Sequence, residues 1–271
     1  MNIDIWLEKQ IIQLFDFVYE KIPQPVPDTK RLEACKIISH RGEHDNKSIF
    51  ENTMAAFDRV HEAGVWGIEL DIRWTKDLIP VVFHDAALKR VFGSDININR
   101  VTLTELNMHC HLIPTLSEVI QKYGKTMHLM VEIKKEAYPD PARQNNVLKD
   151  LFCGLAPQDD FHFLSLRPEM FELIDFVPPS AFVPSARLNV KQLSDTALKR
   201  NYGGIAGHYL LINDTLLNKH HMQKQGVGTG YICSRNCLLR ELNRGVEWIF
   251  TNHALQIQAI WDGLMRRRSA P

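Results

Sequence analysis

Short apolar, β-prone runs recur along the chain from Lys36 onward, and amphipathic stretches fill the gaps between them. Runs near 36–39, 67–72, 127–133, 161–165, 181–185, 203–207, 227–232 and 247–251 are too short for buried helices, so they predict strands. A small extra strand is predicted at 79–83. Apolar residues at helical spacing predict helices over 52–64, 116–123, 141–153, 168–176, 190–200, 214–224, 235–244 and 254–266. Eight strand-then-helix units predict an α/β fold with a parallel sheet inside and helices outside. Eight is the number that closes a TIM (β/α)8 barrel. Residues 86–114 break the rhythm with Gly93 and several Asn and Asp residues, and predict an insertion after the second strand. Thr115 and Glu118 have the spacing of a capping box for the helix that follows.

Residues 3–22 form a separate amphipathic pattern on Trp6, Ile11, Leu14, Phe15, Val18 and Ile22. Asp4, Glu8, Asp16 and Glu20 lie between them. A membrane-surface helix carries Lys and Arg on its polar face, whereas this one is mostly acidic. It predicts a helix packed on the barrel, ended by Pro23, Pro25 and Pro27. The chain thus divides into an N-terminal helical extension and Pro-rich link, 1–35, and a barrel, 36–271, holding the insertion at 86–114.

Composition narrows the partners. The length of 271 residues suits one barrel, and 45% hydrophobic residues supply a proper core. Lys plus Arg and Asp plus Glu are both 32, so no basic field argues for nucleic acid. The N-terminus has no basic n-region, and no apolar run is long enough to span a bilayer, so the expectation is a cytoplasmic chain without stable membrane insertion. Cys35, Cys110, Cys153, Cys233 and Cys237 include no C-x-x-C pair and read as idle thiols rather than a zinc site. Nothing in the sequence indicates an oligomeric state.

In a parallel barrel, function gathers at the C-terminal ends of the strands. His40 ends the first strand, and Arg41 and Gly42 begin the loop beyond it. Glu69 and Asp71 are two apart at the end of the second strand, so they point to one side of the pleat while Leu70 faces the helices. Glu132 and Lys134 repeat the arrangement on the next long strand. One such carboxylate alone reads equally well as a salt-bridge partner of Lys134 or Arg41. Three together repel unless a cation sits among them, and an all-oxygen set favours Mg²⁺ or Ca²⁺ over zinc. His40 and His84 end two separate runs and suit a general acid and base on opposite sides of a scissile bond. Arg41 offers a planar fork for phosphate oxygens, and Lys134 a second positive charge. Glu51, before Asn52 and Thr53, sits where a helix N-terminus favours a carboxylate, and reads as a support to the phosphate site. His109 and His111, in the insertion, are further candidates to reach a substrate.

These residues resemble a known family. Ile38-Ser39-His40-Arg41-Gly42, Glu51-Asn52-Thr53-Met54-Ala55-Ala56-Phe57, Gly67-Ile68-Glu69-Leu70-Asp71-Ile72, Thr75-Lys76-Asp77 and Pro80-Val81-Val82-Phe83-His84-Asp85 look like the glycerophosphodiester phosphodiesterases. Ile113-Pro114-Thr115-Leu116, Val131-Glu132-Ile133-Lys134 and, more weakly, Ile249-Phe250-Thr251-Asn252 extend the likeness. The resemblance implies a TIM barrel, a divalent metal and hydrolysis of a small glycerophosphodiester to glycerol 3-phosphate and an alcohol. It implies His40 and His84 as the acid/base pair, Glu69, Asp71 and Glu132 as metal ligands, and Arg41 and Lys134 as phosphate holders. Leu78 stands where the family usually has a turn glycine, Phe50 where it often has proline, Asn252 for an aspartate, and Gly230-Tyr231 for a tryptophan-threonine pair. None of these touches the carboxylate or histidine set; they bear on the alcohol-side pocket. A lysophospholipase D or sphingomyelinase D type on the same barrel is the nearest alternative, and would need an apolar groove at the mouth. A non-catalytic phosphodiester-binding barrel is the alternative of another class, and would show loss of His40, His84 or a carboxylate.

Overall fold

A computed structural model of the protein describes residues 17–269. The strands are β1 (Lys36–His40), β2 (Gly67–Trp74), β3 (Pro80–Val82), β4 (His128–Ile133), β5 (Phe161–Ser165), β6 (Phe182–Ala186), β7 (Gly204–His208), β8 (Gly226–Gly230) and β9 (Trp248–Thr251). All except β3 pair in parallel, and β9 and β2 both pair with β1, which closes a TIM barrel. β3 lies antiparallel against β2, outside the ring.

Strand alternation sorts the side chains into two cores. Ile37, Ile68, Leu70, Leu129, Val131, Phe163, Ile205, Val227 and Ile249 face outward and pack beneath the helices. Ile38, Met130, Leu164, Val183, Ala206, Trp248 and Phe250 face inward and plug the barrel. Burying each large apolar side chain contributes about 1.5–3 kcal/mol. The plug needs glycine on β8: a Cβ at Gly226 would lie 2.5 Å from the Trp248 ring, and one at Gly228 would lie 2.6 Å from the Phe250 ring. This apolar floor separates the two ends of the barrel. At the N-terminal end a cavity of about 320 Å³ is lined by Lys36, Trp66, His162 and Trp248 among others. There His128 Nδ1 lies 3.0 Å from the Asp159 carbonyl, and His128 Nε2 lies 2.8 Å from His162 Nδ1. A carbonyl only accepts, so His128 Nδ1 carries a proton; burial lowers both rings, and with His128 neutral its Nε2 accepts from His162 Nδ1–H.

Seven of the predicted helices form, among them Met54–Glu62, Leu116–Tyr123 and Arg235–Arg244. Thr115 and Glu118 make the predicted capping box. The helix predicted over 168–176 does not form. A 3₁₀ stretch, Pro168–Leu173, stands in its place and buries Met170 and Phe171. The insertion is more regular than predicted. It holds helices Lys89–Phe92 and Leu103–His109, and its Leu88, Ile98, Leu106, Cys110 and Ile113 form a small core with Val81 of β3 and Phe83. The predicted N-terminal helix falls mostly outside the described residues. Within them 17–21 are helical, and the Glu20 carbonyl accepts from Asn236 Nδ2 at 2.6 Å.

Candidate active site at the C-terminal mouth

Register brings the polar residues of the sequence to one end of the barrel. His40 pairs with Glu69 across β1 and β2, and Asp71 with Glu132 across β2 and β4. Beyond β1, Arg41 (φ 63°) and Gly42 (φ 78°) turn in the left-handed region. A Cβ at Gly42 would lie 2.7 Å from Ala56 Cβ, so only glycine lets the helix Met54–Glu62 approach this closely. That approach delivers Asn52, also left-handed at φ 58°, whose Nδ2 donates to Asp71 Oδ2 at 2.8 Å. Non-glycine residues in this region store strain, and strain of this kind gathers at functional sites.

Glu69, Asp71 and Glu132 are buried, with ligand atoms all within 4.8 Å of one another. Lys134 Nζ lies 2.5 Å from Asp71 Oδ1 and 2.7 Å from Glu132 Oε1. Arg41 Nε lies 3.1 Å from Asp71 Oδ2. Burial would raise the Asp71 carboxyl, but Lys134 and Arg41 outweigh it and hold the group well below the usual range. Glu69 goes the other way, pushed up by burial and by its neighbours Asp71 and Glu132. Glu132 is likewise raised by burial, with Lys134 opposing. Glu69 Oε2 is buried without a hydrogen-bond partner, and His40 Nε2 stays 3.8 Å away. An orphaned oxygen in a trio of carboxylates fits a hard divalent cation, which takes oxygen ligands.

Both predicted histidines stand at this mouth with Nδ1 anchored. His40 Nδ1 lies 2.7 Å from Asn252 Oδ1, and His84 Nδ1 lies 2.6 Å from Asp85 Oδ1. Each oxygen accepts, which leaves Nε2 of each ring free for chemistry. Burial, and then Arg41, bring His40 down to about 4. Burial also lowers His84.

Glu51 faces Arg41 instead of the open mouth. Its carboxylate accepts from Arg41 Nη1 at 2.9 Å, Arg90 Nη1 at 2.8 Å, Arg90 Nη2 at 2.6 Å and Asn46 Nδ2 at 2.9 Å. With these four donors the Glu51 carboxylate is occupied, and it holds the Arg41 guanidinium in place. Arg90 is a residue that sequence reasoning missed. Its Nε donates to Asp85 Oδ2 at 2.6 Å, so one insertion side chain ties the partner of Arg41 to the partner of His84. No spacing in the chain announces it. His109 and His111 are exposed on the insertion and join none of these contacts. Leu78, in the family's glycine position, keeps the left-handed turn at φ 63° and is buried.

Cations flanking a carboxylate trio, with two oriented imidazoles, meet what a phosphate ester demands of a TIM barrel: charge for its oxygens and proton transfer beside them. The chain belongs to the glycerophosphoryl diester phosphodiesterase family, whose model matches residues 40–225, well over half of its length. It is 35% identical over 125 residues to a glycerophosphodiester phosphodiesterase of Caldanaerobacter subterraneus subsp. tengcongensis, covering 42% of this chain and 51% of that one. It is 45% identical over 91 residues to lysophospholipase D GDPD1 of Homo sapiens, covering 33% of this chain and 28% of that one. The chain thus spans about half or less of these relatives. In fold it is similar to an Oleispira antarctica phosphodiesterase solved with its product sn-glycerol-3-phosphate. The TM-score is 0.69 at 23% identity, covering 84% of this chain and 96% of that one.

Proposed function

We propose that the chain hydrolyses glycerophosphodiesters to glycerol 3-phosphate and an alcohol, with a divalent cation of the Mg²⁺ or Ca²⁺ kind held by Glu69, Asp71 and Glu132. The observation that carries the reading is the orphaned Glu69 Oε2 inside a buried trio that two cations only partly neutralise. Family membership supports it. When bound, the cation acts as Lewis acid and template for the phosphoryl oxygen. Arg41 and Lys134 take up charge developing on the phosphoryl oxygens. Glu51 and Arg90 hold the Arg41 fork in place. One histidine removes a proton through Nε2 from the nucleophile, either water or the neighbouring glycerol hydroxyl, whose attack would give a cyclic phosphate that water then opens. The other, as the imidazolium with a proton also on Nε2, gives that proton to the departing alkoxide. Turnover of a glycerophosphodiester panel with and without chelator tests this.

A second reading is a lysophospholipase D. Leu188 and Leu211 are exposed on the loops beyond β6 and β7, where an acyl chain would lie. Faster cleavage of lysophosphatidylcholine than of glycerophosphocholine would favour it. Among the described residues no helix is long and apolar enough to cross a membrane. Cys35, Cys110 and Cys153 are free thiols, in keeping with a reducing, cytoplasmic location.

A further inference from the structure

The β7–β8 side of the mouth takes no part in the chemistry above, yet it is built. Val227 faces the outer core, and a Cβ at Gly228 would meet the Phe250 ring, so even-numbered residues of β8 point into the barrel. At Gly226 and Gly228 that inward space is filled by Trp248 and Phe250. At Gly230 it is open: a Cβ there would meet only the Gly207 carbonyl oxygen, at 3.7 Å. Gly230 does not hold a left-handed backbone, so no positive φ requires a glycine there.

His208 pairs with Gly230 in register and, two residues past the inward Ala206, points to the same hollow. It is 8% exposed. Its Nδ1 accepts from the Leu210 backbone N–H at 3.2 Å, so the proton of the neutral ring sits on Nε2. That Nε2–H is buried without a partner. Tyr231 walls the hollow, its ring 5.8 Å from His208 and 6.1 Å from His40. The hollow therefore adjoins the reacting centre on the His40 side. Tyr231 also holds a left-handed backbone at φ 68°, uncommon for an aromatic residue.

We propose that this hollow receives the leaving alcohol and selects a polyol, through His208 Nε2–H and the space left by Gly230. The inference rests on the phosphodiesterase reading. A buried donor without a partner is costly, so a ligand that brings an acceptor gains most there. Polyol hydroxyls bring lone pairs; a trimethylammonium or ammonium head brings none. The Tyr231 and His208 rings alone would also suit a quaternary ammonium. The orphan donor decides against it, and Arg187, just past β6 and within electrostatic reach of the Tyr231 hydroxyl, adds a like charge.

The test compares kcat/KM for glycerophosphoinositol and glycerophosphocholine in the wild-type chain, His208→Phe and Gly230→Val. The wild type is expected to favour the inositol ester by about tenfold or more, as sites built to bond a hydroxyl do. Each variant is expected to bring that ratio down toward one. Gly230→Val places its side chain in open space and keeps the test available if His208→Phe fails to fold. A wild-type ratio of one or below overturns the proposal, and so does an equal loss on both substrates in the variants. A wild-type chain that cleaves neither ester overturns the phosphodiesterase reading itself, and this inference with it.

Discussion

Lys134 Nζ stands 2.5 Å from Asp71 Oδ1, an ion pair that joins β4 to β2 inside the mouth. The pair is buried, and Glu132 shares the same ammonium. Removing one partner of a buried pair leaves charge uncompensated, at a cost of about 3–5 kcal/mol. Lys134→Ala is expected to lose about that much in urea unfolding, to recover part of it in Mg²⁺, and to lower kcat by about 10²–10³-fold. Stability that is unchanged would show that the trio does not depend on Lys134.

Arg90 bridges Glu51 and Asp85 while about half of its own side chain is exposed, 46%. Solvent screening limits its worth to stability, so Arg90→Ala is expected to cost about 1 kcal/mol or less. Its effect on activity is larger, because Glu51 and Asp85 orient Arg41 and His84. A fall of about tenfold or more in kcat/KM, with the melting temperature nearly kept, is the expected pattern. Equal loss in both would make Arg90 merely structural.

Gly42 has no room for a methyl group, with Ala56 Cβ 2.7 Å from the position its Cβ would take, and its φ of 78° disfavours any L side chain. Gly42→Ala is expected to cost about 2–4 kcal/mol. Because the turn sets Arg41 and Asn52, activity falls further than stability predicts. A shift below about 0.5 kcal/mol in denaturant unfolding would contradict this packing.

Burial lowers His128 to about 4, and burial with the His128 charge lowers His162 to about 3, both from 6.5. Between these values the unfolded chain binds protons that the folded chain refuses. Stability is therefore full above pH 6.5 and falls as pH drops toward 4, by up to about 1.4 kcal/mol per unit for each group. Glu69, raised, works in the opposite sense, so the unfolding series is run in saturating Mg²⁺. A His128→Phe/His162→Leu variant is expected to show a shallower slope between pH 7 and 5. The same slope in both chains would assign the acid sensitivity elsewhere.

The strands were legible because each is a short β-prone run, and period-two alternation alone puts Glu69 with Asp71 and Glu132 with Lys134. The two halves of the site were legible as strand ends. What joins them was not. Arg90 meets Glu51 across 39 residues, and Asn252 meets His40 across 212, distances that only the closed ring bridges. The helix Leu103–His109 did carry a signal, the capping box Thr102 and Glu105, inside a segment that lacks periodicity. The 3₁₀ stretch at Pro168–Leu173 has apolar residues that also fit an α-helix, so pattern alone does not separate the two.

The central claim is a cation-dependent phosphodiesterase site on Glu69, Asp71 and Glu132. Its most direct test is release of glycerol 3-phosphate from glycerophosphoinositol and glycerophosphocholine by the purified chain, with EDTA and then with Mg²⁺ or Ca²⁺ restored. The expected result is turnover that the chelator abolishes, that the restored ion recovers, and that Glu69→Ala lowers by about 10³-fold or more. Turnover indifferent to both chelator and Glu69→Ala would contradict the account.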